Sequence, residues 1–562
     1  MSSYERHLIE LLGRERGPGP YGGGLLTAVI YPNRYAVGMS NLGFLSVFAR
    51  AAETFNVAAE RAFLPEPVHE STLKKAGKPV LTLESRRGLR EMDLLLFSIS
   101  FENDYLNVLK ILGLSGIALR SRARDKGYPL IGAGGAAVQI NPETISPFID
   151  FFALGEGEEL MPSIMGLIRD MGGRHGDRRD VLDALSRIEG IYVPEHFEAT
   201  YDGRGRLASF GSVTGGRDRV TVQRTADLAG MSLCSPIVSK DAEFSDMLLV
   251  EIERGCPFGC AFCVASALYA PVRMRPEGDI VSDVDTGMTL TKTVGLLGPA
   301  VSSHPGLIRI LERIKQGGGS VGLPSIRTEL LTDEGIGLLS ALSVRTLTIA
   351  PEAGTERVRR IIGKTMSDEE ILGLVQRAAA AGITSVRTYF LVGMPGQNDS
   401  DIQAIADLAK RIRHTIIAAT RGGGRTGRVT VSLTPLVPKP HTPLQWMAMA
   451  ERKDLSKDIA RIQSALRGIG GISVVFEPPK WSFIQALLAR GDRRVADILE
   501  SAATHDEDWN AAFRETPVNP DFYVMRERDE DELFPWDFID IGLDKKKLLA
   551  RYQRIMTKIR RG

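Results

Sequence analysis

The stretch EIERGCPFGCAFCVASALYAPVR, residues 251–273, decides how the rest of the sequence is interpreted. It contains Cys256, Cys260 and Cys263, three of the four cysteines in a chain of 562 residues. Three thiolates with the spacing C-x3-C-x2-C can each bind one iron of a [4Fe–4S] cluster and leave the fourth iron without a protein ligand. The sequence therefore predicts an iron–sulfur cluster whose open iron binds a small molecule.

Other interpretations of the three cysteines fit the motif less well than an iron–sulfur cluster. A structural zinc ion needs four protein ligands, and neither Cys234 nor a histidine follows the motif at ligand spacing. Three small buried side chains, or a redox pair with a third cysteine beside it, are the alternatives that need no metal. With only one cysteine left over, the chain has no disulfide framework.

The composition is that of an ordinary soluble globular protein, with 43% hydrophobic and 25% charged residues. The 70 lysines and arginines balance 69 acidic residues, so the net charge does not indicate a nucleic-acid partner. The N-terminus, MSSYERHLIE, lacks the apolar core of a signal peptide, and no run of 18 apolar residues predicts a membrane span. We therefore expect a cytoplasmic protein.

Apolar runs that alternate with amphipathic helical stretches follow the motif. The runs are LLVEIE (248–253), TVGLLG (293–298), SVGLPSIR (320–327), TLTIAPE (346–352), VRTYFLVG (386–393) and VTVSLTPL (429–436). This alternation predicts parallel strands, in either a barrel of six units or an open α/β sheet. The cysteine loop after the first strand favours the barrel.

With this loop the chain resembles the radical SAM superfamily, whose signature is C-x3-C-x-Φ-C after the first barrel strand. Phe262 occupies the aromatic position of that signature. The resemblance implies a partial (β/α)6 barrel over residues 248–446, a [4Fe–4S] cluster, and S-adenosylmethionine (SAM) on the open iron. It also implies reductive cleavage of SAM to a 5′-deoxyadenosyl radical, with the electron supplied by a donor such as flavodoxin or ferredoxin.

The resemblance also points to residues near the carboxyl ends of the barrel strands. Glu352 and Arg357 match the family's E-x-G-x-x-R pattern, which implies that Glu352 lies near the ribose or amino group of SAM. Arg387 resembles the basic residue that meets the SAM carboxylate. A structural salt bridge or a helix cap is the alternative role for each. The expected SAM-binding residues are Phe262, Ser325, Arg327, Glu352, Arg357 and Arg387.

The first 200 residues predict a separate doubly wound α/β domain, with LLTAVIY (25–31), LLLFSIS (94–100) and PLIGAG (129–134) as buried parallel strands. Such a domain ahead of a radical SAM barrel resembles the cobalamin-binding class. Matches to one uncharacterised family of that class, among them NLGFLSVF and VPKPHTPLQW, run from about residue 25 to about residue 540. The expected organisation is a Rossmann-like cobalamin-binding domain (1–200), a connector (201–247), the barrel (248–446) and a small, mostly helical C-terminal region (447–562).

The N-terminal domain departs from the cobalamin pattern at one turn. Many cobalamin domains supply a histidine to cobalt from D-x-H-x-x-G, but residues 38–43 read GMSNLG, with Gly38 and Ser40 in place of the acid and the histidine. Either cobalamin binds without a protein ligand on cobalt, or the domain has kept the fold and lost the vitamin. The residues expected at cobalamin are Asn41, Ser98, Ser100, Glu102, Gly134, Gly135 and Glu156.

Two further features follow the fifth barrel strand. GGGRTGR (422–428) predicts a flexible loop or, less simply, a contact with an anionic substrate. His441, in VPKPHTP, lies just past the sixth strand, where it could transfer a proton or simply order a turn.

The function predicted first is cobalamin-dependent methylation of an unactivated carbon. A radical SAM enzyme that couples or rearranges carbon without cobalamin is the alternative that the missing histidine permits. A non-catalytic iron–sulfur protein for electron transfer or sensing is the alternative of a different class. Methylthio transfer is disfavoured, because that chemistry usually needs a second cluster and only Cys234 remains. No pattern in the chain distinguishes the class of organic substrate.

Overall fold

The computed structural model describes residues 1–19, 22–327, 331–420 and 427–561. All but the last two residues of the glycine-rich stretch 422–428 lie outside these ranges. The predicted α/β fold class is confirmed, with a doubly wound N-terminal sheet, a set of parallel barrel strands and a mostly helical C-terminal region.

The N-terminal domain is built on one sheet in which the first five strands are parallel and the sixth is antiparallel. The strands are β1 (Leu25–Tyr31), β2 (Val57–Phe63), β3 (Leu94–Ser98), β4 (Leu130–Gly134), β5 (Phe151–Ala153) and β6 (Ile191–Tyr192). The main helices are α1 (Ser3–Gly13), α2 (Leu42–Glu53), α3 (Pro67–Ala76), α4 (Tyr105–Leu114), α5 (Gly157–Asp170) and α6 (Arg178–Leu185). The spatial order β2-β1-β3-β4-β5-β6 reverses between β1 and β3, and open α/β sheets bind ligands at the carboxyl edge beside such a switch point.

Strand β2 is not apparent in the apolar pattern, because Glu60 and Arg61 interrupt its run. Both charged residues are nevertheless buried. Arg61 donates hydrogen bonds to Glu84 at 2.7 Å and to Glu15 at 2.6 Å. Ion pairs with distant segments therefore allow an arginine inside this strand, and a local reading of the sequence cannot show them.

The barrel contains the six predicted parallel strands and a seventh. They are β7 (Met247–Glu251), β8 (Thr293–Leu297), β9 (Ser320–Gly322), β10 (Thr346–Glu352), β11 (Ser385–Val392), β12 (Val429–Pro435) and β13 (Ile472–Phe476). Strands β7 to β9 pair with one another, β10 to β13 pair with one another, and a bridge between Ile326 and Ile349 joins the two groups. The outer helices are α7 (Glu277–Gly287), α8 (Leu307–Gln316), α9 (Asp333–Ala341), α10 (Glu356–Ile361), α11 (Asp368–Ala380), α12 (Asp399–Ala419) and α13 (Arg452–Leu466).

The seventh strand lies in the region expected to be mostly helical. Its sequence, ISVVF, is short and rich in β-branched residues, and it pairs in parallel with β12. The helix α13 and strand β13 thus extend the sheet by one more βα unit beyond residue 446.

The remaining C-terminal helices cover the barrel and contact the N-terminal domain. They are α14 (Pro479–Arg490), α15 (Val495–Thr504), α16 (Trp509–Glu515), α17 (Pro520–Val524) and α18 (Lys545–Arg561). Asn141 donates hydrogen bonds to the carbonyl oxygens of Ala489 and Gly491 at 3.1 and 2.7 Å. Arg493 donates to the buried Glu143 at 2.8 Å, so this region holds the two sheets together.

No helix among the described residues combines the length and the apolar character that crossing a membrane requires.

Candidate functional site

The three motif cysteines lie on the loop that follows β7 and the short strand Glu253–Arg254. Each thiol is partly buried and free of disulfides. Burial raises the pKa of the Cys260 thiol to about 11, and neighbouring Cys263 adds to the effect. Burial also raises the pKa of Cys263, to which Cys256 contributes. The three sulfurs are therefore close enough to influence one another electrostatically.

The donor set of this loop fits a [4Fe–4S] cluster. Across the described ranges, no three His, Cys, Asp or Glu side chains converge tightly enough to hold one metal ion. A tetrahedral zinc site would require such convergence of four ligands. A cubane cluster does not, because each thiolate binds a different iron. Three thiols from one loop, with no fourth cysteine beside them, suit a cluster with one open iron.

Glu352 lies at the carboxyl end of β10 and faces the cysteine loop. Its carboxylate accepts a hydrogen bond from Lys364 Nζ at 3.0 Å, and both side chains are largely buried. Burial raises the pKa of Glu352, whereas the charge of Lys364 lowers it. Glu352 also has a φ of +68°, a conformation that costs about 1–3 kcal/mol for residues other than glycine and that is concentrated at functional sites.

Lys364 is a site residue that the sequence does not reveal. It stands in IIGKTMS, just beyond the end of α10, where a lysine is ordinarily solvated. Its charge lowers the pKa of Cys260, which places it near the expected cluster. The only signal in the sequence is that Lys364 follows Glu352 closely along the chain.

Arg327 and Ser325 come from the segment between β9 and β10. The guanidinium group of Arg327 lies over the ring of Phe258, 3.5 Å from its centre, and Phe258 is part of the cysteine loop. The charge of Arg327 also lowers the pKa of Cys260. Ser325 precedes Ile326, whose N–H donates to the Thr348 carbonyl oxygen at 2.8 Å. The segment is thus fixed beside the loop, and the expected contacts of Ser325 and Arg327 with SAM stay a prediction.

Phe262 is partly buried and packs against an apolar cluster that contains Ala261, Val358 and Ile555. One part of its ring is therefore structural, and the exposed part remains available for an adenine. This leaves the expected contact with SAM as a prediction.

The structure places the two other expected SAM residues differently. Arg357 donates a hydrogen bond to the Gly396 carbonyl oxygen at 2.8 Å and pairs with Asp401. Arg387 stands in register with Thr348, whereas Glu352 is in register with Phe390. Three residues of a strand span about 10 Å. The backbone of Arg387 therefore lies well below the carboxyl ends of the strands.

A cavity of about 430 Å³ lies between the carboxyl edge of the N-terminal sheet and the start of the cysteine loop. Six of the seven residues expected at cobalamin line it: Asn41, Ser98, Ser100, Gly134, Gly135 and Glu156. The barrel contributes Glu251, Glu253, Arg254, Gly255, Tyr269, Leu297, Gly298 and Pro299. The expected seventh residue, Glu102, is instead engaged by Lys439 and by Gln485, which donates at 3.0 Å.

On the side of Asn41 and Ser100, the cavity wall offers neutral polar groups and no imidazole. Asn41 caps α2 by accepting from the Phe44 N–H at 2.9 Å, and its amide donates to Ser100 Oγ at 3.1 Å. Ser40 Oγ, at the position of the usual histidine, donates to the Ala36 carbonyl oxygen at 2.9 Å. No histidine is present among the described residues that line the cavity. The wall therefore suits a ligand with many amides, such as cobalamin, and supplies no side-chain ligand of the usual kind to its cobalt.

Glu156 connects the cavity to the cysteine loop through two arginines. Its carboxylate accepts hydrogen bonds from Arg254 at 2.7 Å and from Arg273 at 2.6 and 2.9 Å. Burial raises the pKa of Glu156, but the hydrogen bonds from Arg273 and the charge of Arg254 hold this pKa below its ordinary value. Arg254 also pairs with Glu158 and Glu251 at 3.0 and 2.7 Å. Because Arg254 immediately precedes the loop, these ion pairs anchor the loop to the N-terminal domain.

His441 lies outside this cavity. The backbone of His441 has a φ of +59°. Its ring is buried, and Nε2–H donates to the Ile140 carbonyl oxygen at 3.1 Å. Burial lowers the pKa of His441 to about 4. The ring thus orders a turn between the barrel and the N-terminal domain, and a proton-transfer role remains a prediction.

Comparison with known proteins adds family information. A family model described as "Radical SAM proteins, N-terminal" matches residues 43–194, and one described as "Radical SAM superfamily" matches residues 250–409. An uncharacterized protein from Methanocaldococcus jannaschii is 28% identical over 479 residues, which cover 84% of this chain and 90% of that protein.

Two further likenesses are more distant. A ribosomal protein uS12 methylthiotransferase from Pelotomaculum thermopropionicum is 28% identical over 252 residues, and the match covers 41% of this chain and 56% of the relative. The solved structure of the cobalamin-dependent SAM radical enzyme OxsB with aqua-cobalamin bound aligns with a TM-score of 0.50 at 12% identity, over 96% of this chain and 80% of that one. At this identity, the second likeness shows the fold alone.

Proposed function

The chain belongs to the radical SAM superfamily, and from that premise we propose that it is a cobalamin-dependent enzyme that methylates an unactivated carbon. The observation that carries the proposal is the shared cavity. One wall is the carboxyl edge of a sheet with the β2-β1-β3-β4-β5 order, and the other is the strand that leads into the cysteine loop. A cofactor in this cavity would therefore lie next to the cluster loop.

The cluster would be held by Cys256, Cys260 and Cys263. A cluster held there would supply the one electron that cleaves SAM reductively to methionine and a 5′-deoxyadenosyl radical. Lys364 donates a hydrogen bond to the buried carboxylate of Glu352 and opposes the rise in its pKa that burial causes, and Glu352 would accept hydrogen bonds from the amino or ribose groups of SAM. Arg327 adds positive charge beside the thiolates.

Cobalamin would be held by Asn41, Ser98, Ser100 and the backbone of Gly134 and Gly135. When bound, it supplies methyl-group transfer. Leucine, phenylalanine and methionine side chains in the same wall exclude water from the ligand's apolar edges. The chain's own contribution is to bring this cavity against the cysteine loop through the ion pairs of Arg254.

A second candidate is a radical SAM enzyme that couples or rearranges carbon without cobalamin. It is supported by the turn GMSNLG, in which Ser40 replaces the usual histidine. Methylthio transfer, the activity named for one relative, is disfavoured, because Cys234 is the single cysteine outside the motif.

The test is anaerobic reconstitution with iron, sulfide and cobalamin, followed by measurement of iron, cobalt and 5′-deoxyadenosine. Gly43→Phe should fill the cavity, since Gly43 lines it and a Cβ added at this position meets only the amide oxygen of Asn41, at 3.3 Å. Gly166→Phe is the matched control, because Gly166 has open space around it on α5.

Stoichiometric cobalt in the wild type and the control, lost in Gly43→Phe with iron retained, supports the proposal. If the protein binds iron and cleaves SAM but binds no cobalt, the second candidate is favoured. Iron without any SAM cleavage would favour an electron-transfer or sensor protein.

A further inference from the structure

The C-terminal helix α18 is the most basic segment of the chain. Its 17 residues, KKKLLARYQRIMTKIRR, contain eight lysines and arginines and no acidic residue. The whole chain has a formal net charge of only +1. Positive charge is therefore concentrated on this helix.

The apolar face of α18 packs against the cysteine loop. Leu548, Tyr552 and Ile555 are buried, and Ile555 belongs to the same apolar cluster as Ala261 of the loop. Arg551 donates a hydrogen bond to the carbonyl oxygen of Gly259 at 2.5 Å. Because Gly259 precedes Cys260, this helix lies directly beside the expected cluster.

The other face of the helix presents a basic patch. We define this patch as Arg554, Lys558 and Arg560 on α18 together with Arg360 on the adjacent helix α10, all of which are exposed. None of the four forms an ion pair within the part of the chain that the structure describes. By contrast, an acidic segment, residues 527–532, borders the first half of α18, where Tyr552 and Gln553 donate to its carboxylates.

Helix stability does not account for the patch. A cation in the last turn, such as Arg560, interacts favourably with the helix dipole. Arg554 and Lys558, however, are four residues apart, and like charges at that spacing destabilise a helix. Their charge therefore favours an external acidic partner.

The cysteine loop is accessible beside the patch. Pro257, between Cys256 and Cys260, is exposed to solvent. A protein that binds the patch would thus approach the loop without entering the cavity shared with the N-terminal domain, since no residue of the patch lines that cavity.

We propose that the basic patch is the docking surface for an acidic one-electron donor protein. One electron leaves the donor's reduced flavin or iron–sulfur centre, which is oxidised by one electron, and the cluster is reduced; no bond forms or breaks in this chain. The inference rests on the proposed function, since it requires a cluster on the three cysteines. Charge complementarity raises the association rate of such a pair and makes it depend on salt.

The test compares Arg554→Glu/Lys558→Glu/Arg560→Glu with a control of equal charge change, Lys75→Glu/Lys78→Glu/Arg122→Glu. The three control residues are exposed in the N-terminal domain. Each reconstituted holoenzyme is mixed with photochemically reduced flavodoxin, and cluster reduction is followed by absorbance and electron paramagnetic resonance. Reduced methyl viologen, a cation, serves as the second reductant. Arg360→Glu alone is a second variant that leaves α18 intact.

We expect reduction by flavodoxin to slow about tenfold in the helix variant at low ionic strength, with a smaller loss in Arg360→Glu and none in the control. Raising the salt concentration should remove the difference. Reduction by methyl viologen should be unchanged or faster, which would show that the cluster is intact.

Equal rates in the wild type and the helix variant, including no reduction of either by flavodoxin, would overturn the proposal. So would an equal loss in the control. Loss of binding to a fluorescent RNA oligonucleotide with an unchanged flavodoxin rate would assign the patch to nucleic acid instead. Because the readout is cluster reduction, failure of SAM cleavage alone would count against the proposed function and not against the docking surface.

Discussion

Two parallel sheets meet at the central cavity, and their carboxyl edges have different chemistry. The N-terminal edge contributes the uncharged Asn41, Ser98, Ser100 and glycines, together with Glu156 and Glu158, which both pair with Arg254. The barrel edge contributes Glu251 and Arg254, which pair with each other, and Glu253, which accepts hydrogen bonds from the Ala300 N–H and from Ser303 Oγ. The uncharged side chains of the N-terminal edge can exchange their hydrogen bonds for bonds to a ligand, whereas the charged side chains of both edges are held by one another. Ligand binding therefore falls to the N-terminal edge, and the position of the cysteine loop is set by ion pairs that both domains supply.

The largest effect is expected when the cluster site is disrupted, which tests whether the two edges bind their ligands independently. In Cys260→Ala we expect iron to fall well below about four atoms per chain and SAM cleavage to fall to background, because one iron loses its thiolate. Cobalt bound in the cavity should be unchanged, since Cys260 does not line it. Metal analysis of one preparation measures both. Joint loss of iron and cobalt would show that the two edges are not independent.

The ion pairs at the boundary are the next test. Glu156→Ala leaves Arg273 without its carboxylate partner, and breaking a buried pair costs about 3–5 kcal/mol. Thermal denaturation of the apoprotein should therefore show a clear loss of stability. Glu158→Ala is the matched control, because Arg254 then keeps Glu156 and Glu251.

The same pair predicts a pH dependence. The folded pKa of Glu156 lies below its unfolded value, so its stabilising contribution is present above the unfolded value of about 4.3 and is lost as the pH falls through the folded value. The gap between the wild type and Glu156→Gln should close in that acidic window. A gap that persists under those conditions would mean that packing, and not charge, stabilises the boundary.

A contact between the domains that carries no charge should respond at a different pH. The folded pKa of His441 is about 4, so below about 6.5 the unfolded chain takes up a proton that the folded chain does not. We expect stability to fall by up to about 3 kcal/mol between pH 6.5 and 4. In His441→Asn this dependence should flatten, whereas His175→Asn, at an exposed position, should retain it. An unchanged slope in His441→Asn would contradict the assignment.

The sequence predicted the barrel edge and the N-terminal edge with unequal completeness. The spacing of the three cysteines implies their chemistry directly. Six of the seven residues expected at cobalamin line the cavity, because the carboxyl ends of parallel strands meet at one edge. Glu102 departs from that set because Lys439, far along the chain, reaches it. Lys364 could not be predicted, since only the fold brings it against Glu352.

The strand register explains a second limit of sequence reasoning. A motif assigns Arg387 to a strand but does not fix its height, and the pairing with Thr348 places it low in the barrel. Similarly, Arg357 occupies the last position of the E-x-G-x-x-R pattern, and here it pairs with Asp401. The sequence shows the type and the order of these residues. The position of a residue along the barrel axis and its ion-pair partner depend on contacts between distant segments.

The smallest expected effect distinguishes the role of Glu352 from that of Arg357. Glu352→Gln removes the charge opposite Lys364, and we expect SAM affinity to fall about tenfold, or about 1.4 kcal/mol, with iron content retained. Arg357→Gln is the matched control, since its partners are Asp401 and Gly396. Equilibrium binding of SAM to the reconstituted protein measures both. Equal losses in the two variants would mean that the E-x-G-x-x-R pattern acts as one unit, and the ion pair with Lys364 would then be structural alone.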